Sequence, residues 1–316
     1  MQSLGLWDEP PGPAPWGDWK RPRGAVALGV TTPALALNSH RSWRPKDLVE
    51  VNDFEQRVRR HVDVVMWFAD WESGRFDPRQ ADAVRRRGSL PEISWEPWDA
   101  SIGPRRPQPR YTLASIIEGR HDRVIRRFAE AVREYRHPLR LRFAQEMNGR
   151  WYPWAEAFNG NRRGEFVRAW RHVRGVFDEL GATNVDWIWA PVAGTLKRWQ
   201  YPGDSQVDTI GVSGFNGGSK TFSRQWKEFR TAFGPTLDAI HHLAPRKSIV
   251  LPEVSSSEHG GDKARWIRRM FAELRRRPYI RALTWFDVSK EDDWRISSSP
   301  EAEKSFARGL KTLRRR

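Results

Sequence analysis

The chain has 316 residues, with 55 Lys or Arg against 39 Asp or Glu, a net charge of +16, and no Cys. Hydrophobic residues make up 38% and charged residues 30%, a balance that predicts a globular fold with a large core and excludes a disordered chain. Without Cys there is neither a disulfide framework nor a thiolate metal site, and no run nears the ~18 apolar residues of a membrane helix.

Residues 1–24 (MQSLGLWDEPPGPAPWGDWKRPRG) are rich in Pro and acidic early, without the basic and apolar regions of a signal peptide. They read as an N-terminal extension ahead of a domain over residues 25–316. The first strand is predicted at Ala25–Val30, and Asn52 with Glu55 resembles a capping arrangement for an early helix. Further strands follow at Val62–Trp67, Leu90–Trp95, Leu139–Phe143, Val185–Trp189, Val207–Val212, Ser248–Leu251 and Ile280–Trp285. Their near-continuous apolar character suits parallel strands covered on both faces.

Helical stripes lie between them. Val124, Ile125, Phe128, Val132 and Tyr135 form one, and Phe166, Trp170, Val173, Phe177 and Leu180 another, stopped by Gly181. A third opens on Asp262 as N-cap and turns Trp266, Ile267, Met270, Phe271 and Leu274 inward. The basic residues are spread along such helices with Glu interleaved ("RVIRRFAEAVREYR", "RWIRRMFAELRRR"), which reads as solvated faces and not as a nucleic-acid patch. Eight strands with intervening helices predict a single-domain α/β protein, a (β/α)8 TIM barrel. A doubly wound sheet lacks support, because no Gly-rich phosphate loop follows any strand.

In such a barrel, chemistry sits just after the strand C-termini. Carboxylates and aromatics crowd those positions: Trp95 and Glu96; Glu146, Asn148, Trp151 and Trp154; Phe215; Glu253; Trp285 and Trp294. The chain holds 18 Trp, and indole faces stack on the apolar faces of sugar rings, so a carbohydrate polymer is the expected partner. Trp170, Trp187 and Trp266 are assigned to the core; Trp151, Trp154 and Trp285 to the groove. Glu146 ends "LRLRFAQE" and Glu253 ends "SIVLPE", on strand positions across the barrel from each other, so both carboxyls can face one cleft. In a retaining glycosidase two such groups stand about 5–5.5 Å apart, one acid/base and one nucleophile. By alternation Arg142, Ala144 and Glu146 share one side of a strand, as do Ile249, Leu251 and Glu253. Gln145 and Glu146 can both line a cleft only where a bulge or strand end intervenes.

Metal chemistry is a poor rival. His241 and His242 are adjacent and diverge, His259 sits in a Gly-rich loop, and no H-E-x-x-H pattern exists, so no metal and no other cofactor is expected. The Ser255–Ser257 run lacks the G-x-S-x-G elbow of a serine hydrolase.

"RFAQEMNGRWYPW", "LPEVSSSEHGGDKARWI" and "TWFDVSKEDDWRI", with "ISWEPW" at the third strand, together resemble glycoside hydrolase family 26, a retaining group of (β/α)8 barrels that includes endo-β-mannanases and mixed-linkage β-glucanases. The resemblance runs from the first strand to the last. It implies Glu146 as acid/base, Glu253 as nucleophile, and Arg142 as the family's Arg four residues before the acid. It also implies Trp285 as the floor of the cleavage point, with Trp151 and Trp154 along neighbouring subsites. Two positions depart: Gln145 stands where the family usually has His, and Phe215 where it usually has Tyr.

Two readings follow. The first is an endo-acting hydrolase of internal β-1,4 bonds in a β-glucan or β-mannan, with β-1,3-xylan a weaker candidate. The second, motivated by Gln145 and Phe215, is a polysaccharide-binding barrel with little or no turnover. Both imply a monomer without a nucleic-acid partner, and substrate logic places it outside the cell or in the envelope.

Overall fold

A computed structural model describes residues 26–37, 43–72, 75–218 and 225–313; the extension expected over residues 1–24 lies outside them. Parallel strands β1 (Ala27–Thr31), β2 (Val64–Asp70), β3 (Leu90–Glu96), β4 (Leu139–Phe143), β5 (Val185–Trp189), β6 (Thr209–Gly211), β7 (Gly214–Asn216), β8 (Ser248–Ser256) and β9 (Ile280–Phe286) form one sheet. β1 pairs with β2 and β9, and β8 pairs with β9 and β6, which closes the barrel. β6 and β7 are successive halves of one strand position, set against the lower and upper parts of β8. The fold is therefore the (β/α)8 barrel. The fourth and fifth strands fall where the sequence puts them; several others run on by one or more residues at their C-terminal ends.

Helices α1 (Pro33–Ala36), α2 (Val49–Val58), α3 (Pro78–Arg86), α4 (Leu113–Ile117), α5 (Asp122–Tyr135), α6 (Glu165–Glu179), α7 (Phe229–Leu243), α8 (Lys263–Arg276) and α9 (Pro300–Thr312) lie along the chain. The predicted stripes of α5, α6 and α8 are buried, except that Val124 and Leu180 are only partly covered. Asp262 caps α8, its carboxylate accepting from the Arg265 N–H at 2.7 Å. Asn52 and Glu55 do not start a helix. α2 begins earlier, out of the turn Pro45–Leu48, and Glu55 accepts instead from the Val62 N–H at 2.6 Å. None of the described helices is long and apolar enough to cross a membrane.

Side chains alternate across each strand, and the two faces differ in kind. The helix-facing set holds the large residues, among them Leu28, Val65, Trp67, Ile93, Trp95, Phe143, Trp187, Leu251 and Trp285. The inward set is mostly smaller or polar, with Phe68 and Phe286 toward the upper rim. Ala27, Ile188, Ala190, Val250 and Ala282 form an apolar layer. Buried Arg140 sits between Asp186 at 3.2 Å and Glu92 at 3.5 Å, its charge compensated on both sides.

One irregularity decides where the chemistry sits. Leu251 is level with Leu283 of β9 and Val254 with Trp285, so β8 has two residues, Pro252 and Glu253, opposite the single Thr284. This is a β-bulge, and Pro252 suits it because a bulged residue needs no ladder N–H. Gly211 makes room for the inward Pro252: a Cβ there would stand 2.9 Å from its ring. Ile249 and Leu251 thus face the helices while Glu253 faces inward. The expectation that these three share one side is overturned by the extra residue.

Candidate active site

The site is assembled at the upper rim from β3, β4, β6–β7 and β8. β4 ends at Phe143, and the chain then turns sharply through Ala144 (φ 47°) and Glu146 (φ 57°), both in the left-handed region that non-glycine residues seldom adopt. The turn is held by backbone bonds from Ala144 N–H to the Trp95 carbonyl (3.1 Å) and from Glu146 N–H to that of Ala190 (2.7 Å). This strand end lets both Gln145 and Glu146 enter the cleft.

Glu146 accepts two hydrogen bonds, from Ser213 Oγ to Oε1 at 2.8 Å and from Trp151 Nε1 to Oε2 at 3.0 Å. Trp151 folds back over Gly149, where a Cβ would meet the indole at 2.7 Å. Burial pushes the Glu146 carboxyl up to about 7, and the nearby charge of Glu253 pushes the same way, against the Ser213 and Trp151 donors and the positive charge of Arg142. Glu253 accepts from Arg142 Nη2 at 2.6 Å on Oε2, while its Oε1 accepts no hydrogen bond among the described residues. Arg142 is fully buried, and Ser94 Oγ accepts from its Nε at 2.7 Å, fixing the fork.

A third carboxyl, Glu96, accepts from Gln145 Nε2 at 2.5 Å and from Trp98 Nε1 at 3.1 Å. Burial raises it to about 8 despite those donors. The Tyr152 phenol stands close enough to Glu146, Glu96 and Glu253 that, after burial, their charges raise it further above its ordinary range. Among the described residues, the buried Arg142 Nη1 and Gln145 Oε1 have no hydrogen-bond partner. The arrangement offers a carboxyl that can be protonated near neutrality, facing a guanidinium-held carboxylate with one open oxygen.

Several predicted groove residues lie elsewhere. Trp95 and Trp285 have the helix-facing parity and are fully buried. Trp95 stacks on Phe128 at 4.4 Å, and Trp285 packs against Phe306 at 5.0 Å. No sugar can reach either. Phe286 takes the inward position assigned to Trp285, and clusters with Phe68, Phe215 and Trp294. Trp294, 3% exposed, supports half-buried Phe215 from 5.1 Å and does not line the opening. Trp154 is also fully buried, its Nε1 donating to the Gln145 carbonyl at 2.7 Å; Tyr152 stacks over it at 4.4 Å and is itself only partly buried. Asn148 is engaged with the loop after β5, donating to the Val192 and Thr195 carbonyls (2.9 and 3.2 Å) and accepting from Val192 N–H (2.8 Å). Arg142, Gln145, Glu96 and Trp151 stay with the two glutamates. Tyr152, from the same strand-end stretch as Trp151, joins them, as do Ser94 and Ser213, which were not singled out. Inward parity could have flagged Ser94; nothing in the sequence brings Ser213 to Glu146. Among the described residues no three His, Asp or Glu side chains converge as a metal site would.

Endoglucanase H of Acetivibrio thermocellus is 33% identical over 294 residues, covering 90% of this chain and 31% of that protein. The β-1,3-xylanase TXYA of a Vibrio species is 32% identical over 110 residues, 33% of this chain and 22% of that protein. The chain thus spans about a third or less of the length of these relatives. Among solved structures, Bacillus subtilis mannanase man26 superposes with a TM-score of 0.63 at 16% identity, over 90% of this chain and 86% of that one, a likeness of fold. The family described as Glycosyl hydrolase family 26 matches residues 112–255, a stretch that includes Glu146, Trp151, Ser213 and Glu253, and the chain belongs to that family.

Proposed function

We propose that the chain is a retaining endo-β-glycanase that cleaves internal β-1,4 bonds, in a β-glucan before a β-mannan, by double displacement. The observation that carries this is the unequal environment of two facing carboxyls. Glu146, raised to about 7, can hold the proton that the leaving oxygen needs. Glu253 keeps one oxygen on Arg142 and the other open for the anomeric carbon. The Arg142 guanidinium fixes the Glu253 carboxyl in place, so its open oxygen is positioned to attack the anomeric carbon and form a covalent intermediate. The unpartnered Arg142 Nη1 and Gln145 Oε1 suit sugar hydroxyls. The glucan preference and the endo mode rest on the likeness to Endoglucanase H across most of this chain.

Reducing-end release from lichenan, glucomannan, galactomannan and β-1,3-xylan tests the proposal, with proton NMR following the first anomer formed. Release from lichenan with the β-anomer appearing first is expected. Inertness on all four, or an α-anomer first, rejects it. Binding without release would favour the non-hydrolytic barrel.

Gly149→Ala tests the role of Trp151. The added methyl displaces the indole from Glu146, and kcat on lichenan is expected to fall about tenfold, the worth of one charge-assisted hydrogen bond. An unchanged kcat would mean that Trp151 does not position the acid.

A further inference from the structure

Among the described tryptophans Trp199 alone is well exposed, at 44%. It lies in the loop after β5, on the single turn Arg198–Gln200, and so on the same rim as the glutamates. An indole this open is unusual on a surface, and this one is also held in one orientation. Its Nε1 donates to Glu156 Oε2 at 2.8 Å, and the Arg163 guanidinium covers one ring face at 4.3 Å. Glu156 is fixed in turn, its Oε1 accepting from the Gly164 N–H at 2.8 Å. The loop is fastened to the one bearing Glu146 by the three Asn148 bonds and by Gln200 Nε2 to the Met147 carbonyl at 3.3 Å.

Core packing does not explain this, because the ring stays in water. Its N–H and one face are used for orientation and the rest is presented outward. A rigid, half-open indole is a stacking surface whose ordering has been completed before any ligand arrives. The rings that match it are pyranoses, which offer an apolar C–H face, and the cationic cover at Arg163 leaves a donor at the platform's edge for ring hydroxyls.

We propose that Trp199 is a sugar-stacking platform outside the reacting centre, taking one pyranose unit of a neutral β-linked polysaccharide that lies across the loops after β4 and β5. This rests on the glycanase reading but is testable without turnover. Native gels containing lichenan or glucomannan retard a protein that binds them, and the intact chain is compared there with Trp199→Ala and Trp199→Phe. The expected result is a roughly tenfold weaker apparent affinity for Trp199→Ala, largely restored in Trp199→Phe, with unchanged thermal melting. In kinetics, kcat/KM on the polymer should fall about tenfold through KM, with kcat kept and hydrolysis of an aryl β-cellobioside unaffected. Equal retardation of the intact chain and Trp199→Ala overturns the proposal, as does a failure of the intact chain to be retarded by either glycan. Retardation that depends on Trp199 without any release of reducing ends would keep the platform and remove the glycanase.

Discussion

Glu253→Gln is expected to lower kcat by about 10⁴-fold or more on every β-glycan the chain cleaves, and on aryl glycosides as well. The amide keeps the shape of the side chain and can still accept from Arg142, so the fold should survive. It cannot form the glycosyl ester, and no leaving group, however good, compensates. Glu253→Ala would be less informative, because stripping a partner from a fully buried guanidinium costs about 3–5 kcal/mol of stability in its own right. A second readout separates chemistry from folding. The negative charge of Glu253 is one of the causes raising Glu146, so its removal should move the Glu146 carboxyl from about 7 toward the ordinary carboxylate range, measurable by carbon NMR. Turnover by Glu253→Gln comparable to the unaltered chain would move the nucleophile elsewhere on the rim, with Glu96 the next candidate.

Glu146→Ala should behave differently. On polysaccharide, where the leaving oxygen needs a proton, kcat should fall about 10²–10⁴-fold. On an aryl β-glycoside with a good leaving group, glycosylation of Glu253 should persist, and added azide should restore turnover as a β-glycosyl azide. An α-azide would mean attack without a covalent intermediate and would contradict the assignment. The pH profiles test the same point. With Glu146 raised to about 7, the acid form predominates below that value and is lost above it, so activity on polysaccharide should decline as the pH passes about 7. That alkaline limb should be absent for the aryl glycoside in Glu146→Ala, which has no carboxyl there to lose.

The barrel was legible because its strands are short apolar runs at regular intervals, and Glu146 and Glu253 were legible because each ends such a run. The tryptophans misled where residue type was weighed above parity. Glu92, Ser94 and Glu96 recur at every second position of β3, and a barrel strand turns its polar parity inward, so Ile93 and Trp95 had to meet the helices. The same reasoning at β9 sends Trp285 outward and Phe286 inward. What could not be read is whatever depends on two distant loops meeting. Ser213 reaches Glu146 across 67 positions of sequence, and Asn148 fastens a loop that begins more than forty residues later. Side-chain type told nothing of either, since a serine and an asparagine suit many places. The bulge in β8 had a hint in Pro252, but only the register against β9 shows that two residues share one rung.

Regularising β8 would suit the scaffold and disarm it. Were alternation to run unbroken past Leu251, the Glu253 carboxyl would point into the helix layer. Were Pro252 deleted instead, Glu253 would drop one rung, about 3.3 Å, toward the barrel floor and away from Glu146. Either change trades the irregular rung for a continuous ladder, so a library ranked by melting temperature alone would enrich the inactive versions. Here thermostability and catalysis pull on the same residue, and variants of this barrel should be selected on turnover first.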